Sequence, residues 1–169
     1  MVDVLILTGY GINSDYESKY AFELAGADHV QQVHINELIR GSESLEDYQI
    51  LMFPGGFSFG DHLGSGRVLG NKFRFNLRKE LTSFIKKDKL IFGVCNGFQI
   101  LVKMGILPAF NSEYYTQTVS LVGNASGKFE SHWIKLKPLK THCIWTQGYE
   151  YHLELPVRHG EGRFVTKNE

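Results

Sequence analysis

Blocks of apolar residues and stretches of helical periodicity follow one another along this chain in a regular order. Residues 4–8 (VLILT) are almost wholly apolar and predict a buried strand, broken by Gly9 and Gly11. Ser14 and Glu17 have the spacing of a capping box, in which each side chain satisfies a free N–H of the first helical turn. A helix is therefore expected over 15–25, stopped by Gly26. Residues 29–35 read as a shorter, mixed strand. Residues 48–53 (YQILMF) read as a third strand, ended by Pro54, Gly55 and Gly56. Over 73–87, Phe73, Leu77, Leu81, Phe84 and Ile85 share one helical face with Lys and Arg opposite, which predicts a helix. Residues 90–94 form a fourth, continuously apolar strand that runs directly into a helix from Asn96.

Strands alternating with helices predict an α/β fold with a flavodoxin-like, doubly wound and mostly parallel sheet. Strands covered by helices on both faces read as apolar runs rather than alternations. Binding sites in such sheets lie at the carboxyl ends of the strands. Three glycine-rich or polar loops leave those ends: GYGINSD, PGGFSFGDHLGSG and VCNG. They are expected to cluster. Past Leu107 the pattern changes to strands without helices, expected over 117–122, 129–136, 142–146 and 151–157 and separated by turns such as GNASGK and KPLK. No internal repeat or low-complexity linker interrupts the chain, so a single domain over 1–169 is expected.

Composition narrows the function classes. The formal net charge is zero and no basic or acidic run occurs, which argues against a nucleic-acid partner and against an electrostatic membrane anchor. The start of the chain is apolar but short and acidic, unlike a signal peptide, and no later run is long enough to span a bilayer. Two cysteines are too few for a disulfide scaffold, so a cytoplasmic protein is expected. No metal site is expected.

The chemistry concentrates at Gly93-Val94-Cys95-Asn96-Gly97, a G-x-C-x-G corner and the thiol counterpart of the G-x-S-x-G nucleophile elbow. A side chain at either glycine would collide with the neighbouring strand or helix. The central residue is expected in a strained conformation that projects its side chain clear of the sheet. The positive end of the following helix favours thiolate over thiol and offers N–H groups to an oxyanion. Taken alone, the motif fits a structural cysteine equally well; the strand before it and the helix after it favour the nucleophile. Cys143 has no such setting and is expected to be an inert core residue.

CNGFQ with PGGFS-x-GD upstream and NASGKF and HGEGRF downstream resembles the glutaminase subunits of phosphoribosylformylglycinamidine synthase, class I (triad-type) glutamine amidotransferases of purine biosynthesis. The resemblance runs from the first strand to Phe164. It implies that Cys95 attacks the carboxamide of glutamine, with backbone N–H groups of Gly55, Gly56 and Asn96 receiving the oxyanion. It implies substrate-binding roles for Gln99, Ser126 and Gly127. Phe59, Arg67, His159, Glu161 and Arg163 are implied at the pocket or at an interface. The partners implied are an ATP-dependent synthetase subunit, which would use ATP and Mg, and a small accessory subunit; no cofactor is implied in this subunit. The sequence departs from the family pattern at His62, where an aromatic residue is usual, and at Gly64, where Arg is usual. Asn13, in the first loop, is a further pocket candidate.

A cysteine amidase also needs a base and an orienting acid. In this family they come from a late His-Pro-Glu segment, and none of the seven histidines here precedes proline. The sequence thus reads as a family member without its C-terminal part. His159 and Glu161 belong to HGEGRF and are not that dyad. Two other readings stay open: a non-catalytic remnant that keeps the fold or partner binding, and a DJ-1-like cysteine-elbow protein. The second calls for a histidine beside the elbow cysteine, where Asn96 stands. A nucleotide-binding flavodoxin-like protein is weaker still, since no G-x-G-x-x-G loop follows the first strand.

Overall fold

The computed structural model describes residues 1–166. The chain divides into two compact units, one of Met1–Leu121 with the chain from Phe164 onward, the other of Val122–Arg163.

The first unit is built on a parallel α/β sheet. Strands β1 (Asp3–Thr8), β2 (His29–His34), β3 (Ile50–Phe53) and β4 (Leu90–Gly93) lie in the order β2-β1-β3-β4. Val4 pairs with Val30 and Ile50, and Phe53 pairs with Gly93. Helices α1 (Asp15–Leu24), α2 (Ile35–Arg40), α3 (Arg67–Asn76), α4 (Arg78–Lys86) and α5 (Asn96–Met104) connect or follow the strands. The apolar runs of β1 and β3 supply Leu5, Leu7, Leu51 and Phe53 to a core completed by Phe73, Leu81, Ile100 and Met104, all buried. Strand β5 (Val119–Val122) pairs with β8 (Arg163–Thr166) in a separate two-stranded sheet.

Several local expectations change. The apolar run 90–94 is only half-buried, and Val94 is exposed, because β4 stands at the edge of the four-stranded sheet among the described residues. The helix expected over 73–87 is two helices that meet at Leu77 (φ −124°, ψ 19°). The Leu77 N–H closes α3 on the Phe73 carbonyl, and the Leu77 carbonyl accepts the Leu81 N–H that opens α4. Both pieces keep the same buried face, so the periodicity runs through the break. The first piece begins ten residues before Leu77, inside SGRVLG, where Gly66 adopts φ 73° and a Cβ would sit 2.6 Å from the Ile100 nitrogen.

The capping box at Ser14 is absent. Ser14 is the N-cap of α1 but its side chain makes no capping bond, and its N–H is already donated to the Gly55 carbonyl at 3.3 Å. The reciprocal cap occurs instead at α2, where His34 Nδ1 accepts from the Asn36 N–H and Glu37 accepts from the His34 N–H.

In the second unit, β6 (Glu130–Leu136) and β7 (Leu153–His159) form an antiparallel pair with Glu130 opposite His159 and Leu136 opposite Leu153. Residues 142–146 are not a strand: the Cys143 carbonyl accepts from Thr146 and Gln147, which folds the segment into turns. Cys143 is therefore exposed rather than in the core.

Candidate active site

Cys95 sits where β4 ends and α5 begins, exposed, with φ 52° and ψ −114°. A non-glycine residue in this region is strained, and the strain is held by bonds on both sides. The Val94 N–H is donated to the Phe53 carbonyl at 3.1 Å, the Gly97 N–H to the Val94 carbonyl at 2.9 Å and the Gln99 N–H to the Cys95 carbonyl at 3.1 Å. Both elbow glycines are required sterically. A Cβ on Gly93 would lie 2.6 Å from a Leu101 methyl on α5, and one on Gly97 would overlap the Phe53 carbonyl of β3. Asn96, as the first residue of α5, has an N–H without an intrahelical acceptor.

The three loops at the strand ends do meet. Gly55 lies beside the elbow: a Cβ there would be 3.4 Å from Cys95 Cβ and 2.9 Å from Ser14 Oγ. Its carbonyl accepts from Asn13 at 3.2 Å and Ser14 at 3.3 Å, so Asn13 is engaged through its backbone. In a trans peptide the C=O and the next N–H point opposite ways, which turns the Gly56 N–H away from that loop. Gly56 (φ 147°) is bridged to Ile12, and the Phe57 N–H reaches the Gly11 carbonyl at 2.9 Å.

Beneath the elbow lies a polar network that the sequence motifs did not reveal. Asn96 has no exposed surface. Its Oδ1 accepts from the Ser58 N–H at 3.1 Å, and its Nδ2 donates to Asp61 at 3.2 Å and to Gln99 Oε1 at 2.9 Å. Ser65 Oγ donates to the other Asp61 oxygen at 3.0 Å. Gln99 is buried, with its carbonyl end used inside the protein. The sequence signal for these residues was only a run of small and polar types after a double glycine.

The remaining sequence candidates are distributed as follows. Phe59 is half-buried, adopts φ 54°, and stacks on Tyr10 with centroids 4.5 Å apart; Arg67 is exposed at the start of α3. In the second unit, Ser126 Oγ donates to Glu130 and Gly127 adopts φ 66°. His159 is half-buried, Glu161 half-buried and Arg163 exposed. Asn124, which sequence reasoning passed over, knits the NASG and HGEG segments together. Its Oδ1 meets His159 Nδ1 at 3.0 Å and the Gly162 N–H at 2.9 Å, while its Nδ2 donates to the His159 carbonyl at 2.9 Å. Among the described residues no group of three His, Cys, Asp or Glu stands together as metal ligands.

The profile of the CobB/CobQ-like glutamine amidotransferase domain matches residues 1–169. The chain is 43% identical over 161 residues to the phosphoribosylformylglycinamidine synthase subunit PurQ of Methanococcus maripaludis, covering 95% of this chain and 58% of that protein. It is 46% identical over 170 residues to PurQ of Dehalococcoides mccartyi, covering 99% of this chain and 65% of that one. It thus spans about three-fifths of the length of these curated relatives. Among solved structures, PurLQS from Thermotoga maritima matches with a TM-score of 0.79 and 30% identity over 99% of this chain and 71% of that one. A glutamine amidotransferase from the same organism shares the fold, with a TM-score of 0.59 at 16% identity, over 99% of this chain and 64% of that one.

Proposed function

This chain belongs to the CobB/CobQ-like glutamine amidotransferase domain family, and we propose that it is the glutaminase part of a phosphoribosylformylglycinamidine synthase. The observation that carries the reading is Cys95 at φ 52°, ψ −114°, between a strand end and a helix start, with the side-chain-free Gly55 against it. The thiolate of Cys95 attacks the carboxamide carbon of glutamine. The carbonyl oxygen takes up negative charge and is received by the N–H groups of Gly56 and Asn96. The C–N bond then breaks, ammonia leaves with an added proton, and water hydrolyses the glutamyl thioester to glutamate.

Ammonia released into the cytoplasm is protonated and lost. The domain therefore docks on an ATP- and Mg-dependent synthetase subunit, together with a small accessory subunit, and hands ammonia over inside the complex. Similarity to PurQ proteins and to a subunit of the PurLQS structure supports this assembly.

Glutamate release from glutamine, measured with and without the synthetase subunit, tests the reading, and no release in either setting would sink it. The nucleophile itself is tested with a diazo-ketone analogue of glutamine, which is expected to label Cys95 and spare Cys143. Because both thiols are exposed, equal labelling would remove the case for a built site. Glutamate release that is abolished by Cys95→Ala is the expected outcome, and release that survives the substitution would remove Cys95 as the nucleophile.

A further inference from the structure

Two backbone segments must supply the oxyanion donors, the one after β3 and the one at the start of α5. One buried side chain joins them. Asn96 directly follows Cys95, and its Oδ1 holds the N–H of Ser58, two residues beyond Gly56, at 3.1 Å. The orientation of that amide is set by what its Nδ2 faces. Gln99 offers an oxygen at 2.9 Å from within α5, whereas Asp61 offers one at 3.2 Å from the opposite segment. Asp61 is in turn held by Ser65 at 3.0 Å.

The segment carrying Ser58 and Asp61 does not adopt its shape for its own sake. Phe59 (φ 54°) and Asp61 (φ 56°) are both left-handed, and the buried Ser58 Oγ has no hydrogen-bond partner among the described residues. Such a conformation persists only where its surroundings hold it. The holders are the Tyr10 carbonyl and ring on one side, which take the Phe59 N–H at 2.6 Å and stack on its ring, and the Asn96–Asp61 pair on the other.

We propose that Asp61 is a positioning residue for the oxyanion donors, acting through Asn96; this rests on the reading of Cys95 as nucleophile. The carboxylate does not touch the substrate. It fixes the Asn96 amide so that the Gly56 and Asn96 N–H groups keep their separation. Removing it leaves the thiol in place but loosens the pair of donors.

The test compares two reagents on the full chain. The ketone of a glutamine-like diazo-ketone needs the oxyanion donors, whereas iodoacetamide needs only an accessible thiol. Asp61→Gly deletes the carboxylate without adding strain at φ 56°. It is expected to lower the diazo-ketone rate at Cys95 by about tenfold relative to the iodoacetamide rate. Asp61→Asn, which keeps an oxygen for Asn96 Nδ2 and tolerates the left-handed conformation, is expected to restore the wild-type ratio. A ratio for Asp61→Gly within about twofold of wild type overturns the proposal. A parallel fall in both rates also overturns it, since that reports general loosening. If Asp61→Gly does not fold, Ser65→Ala removes the other partner of the same carboxylate, and an unchanged ratio there overturns the proposal. Failure of the wild-type chain to take the diazo-ketone at Cys95 sinks the nucleophile reading itself, a different outcome from a labelled wild type with an indifferent Asp61.

Discussion

A methyl group on Gly97 would overlap the Phe53 carbonyl, whereas one on Gly123 would meet nothing within 4 Å. Gly97→Ala is therefore expected to destabilise the fold by about 3 kcal/mol or more, because the clash is with backbone that cannot step aside. Gly123→Ala has no positive φ to strain and should change stability by less than about 1 kcal/mol, in the stabilising direction through the unfolded chain. Urea midpoints of the two variants check both. The contrast between the cysteines is of the same local kind. Exposure does not separate them, since both are exposed. What separates them is the left-handed backbone at Cys95 and the close glycine beside it.

Between β3 and α3 the chain makes two aromatic residues unequal. Phe59 stacks on Tyr10 and packs against the core, while Phe57 is 46% exposed. Phe59→Ala is expected to lower unfolding stability by about 1–3 kcal/mol, read by thermal or urea unfolding. That differs from what its place in a glycine-rich loop suggests, namely an exposed anchor whose loss leaves the thermal transition intact. The better probes of partner binding are Phe57→Ala and Arg67→Ala, since exposed aromatic and Arg side chains are common interface anchors. Both should keep the wild-type melting temperature and, on the proposed assembly, weaken capture of a synthetase subunit in a pull-down. Undiminished capture by both places the partner surface on other elements. The α3–α4 break obeys the same logic of packing over pattern: Leu77 is buried and both helices keep their apolar faces.

At the scale of the molecule, buried tyrosines tie stability to alkaline pH. Burial, and next a hydrogen bond to Glu43, push the Tyr48 phenol well above its ordinary range, and burial raises Tyr115 as well. The unfolded chain gives up these protons near pH ~10, while the folded chain keeps them. Above that range the unfolded state binds fewer protons, so stability is complete below it and falls as pH rises. The urea midpoint should drop between about pH 9 and about pH 11, and Tyr48→Phe should flatten part of that drop. Among the described residues no helix is long and apolar enough to cross a membrane. The four strands of the parallel sheet follow from residue pattern, because an apolar run such as 4–7 has nowhere to lie but a covered strand, whereas the short helix α2 (Ile35–Arg40), whose first residue the pattern puts at the end of a strand, does not. The elbow is equally readable, because its glycines answer to contacts within a few residues or with the adjacent strand. Other features depended on segments far apart in the chain. Ser14 and Glu17 look like a capping box until the Gly55 carbonyl takes the Ser14 N–H. Ser58, Asp61, Ser65 and Asn96 read only as parts of a glycine-rich loop and a helix start, and the fold joins them by hydrogen bonds. Burial and hydrogen-bond partnership are properties of pairs of segments, and only the folded chain brings those pairs together.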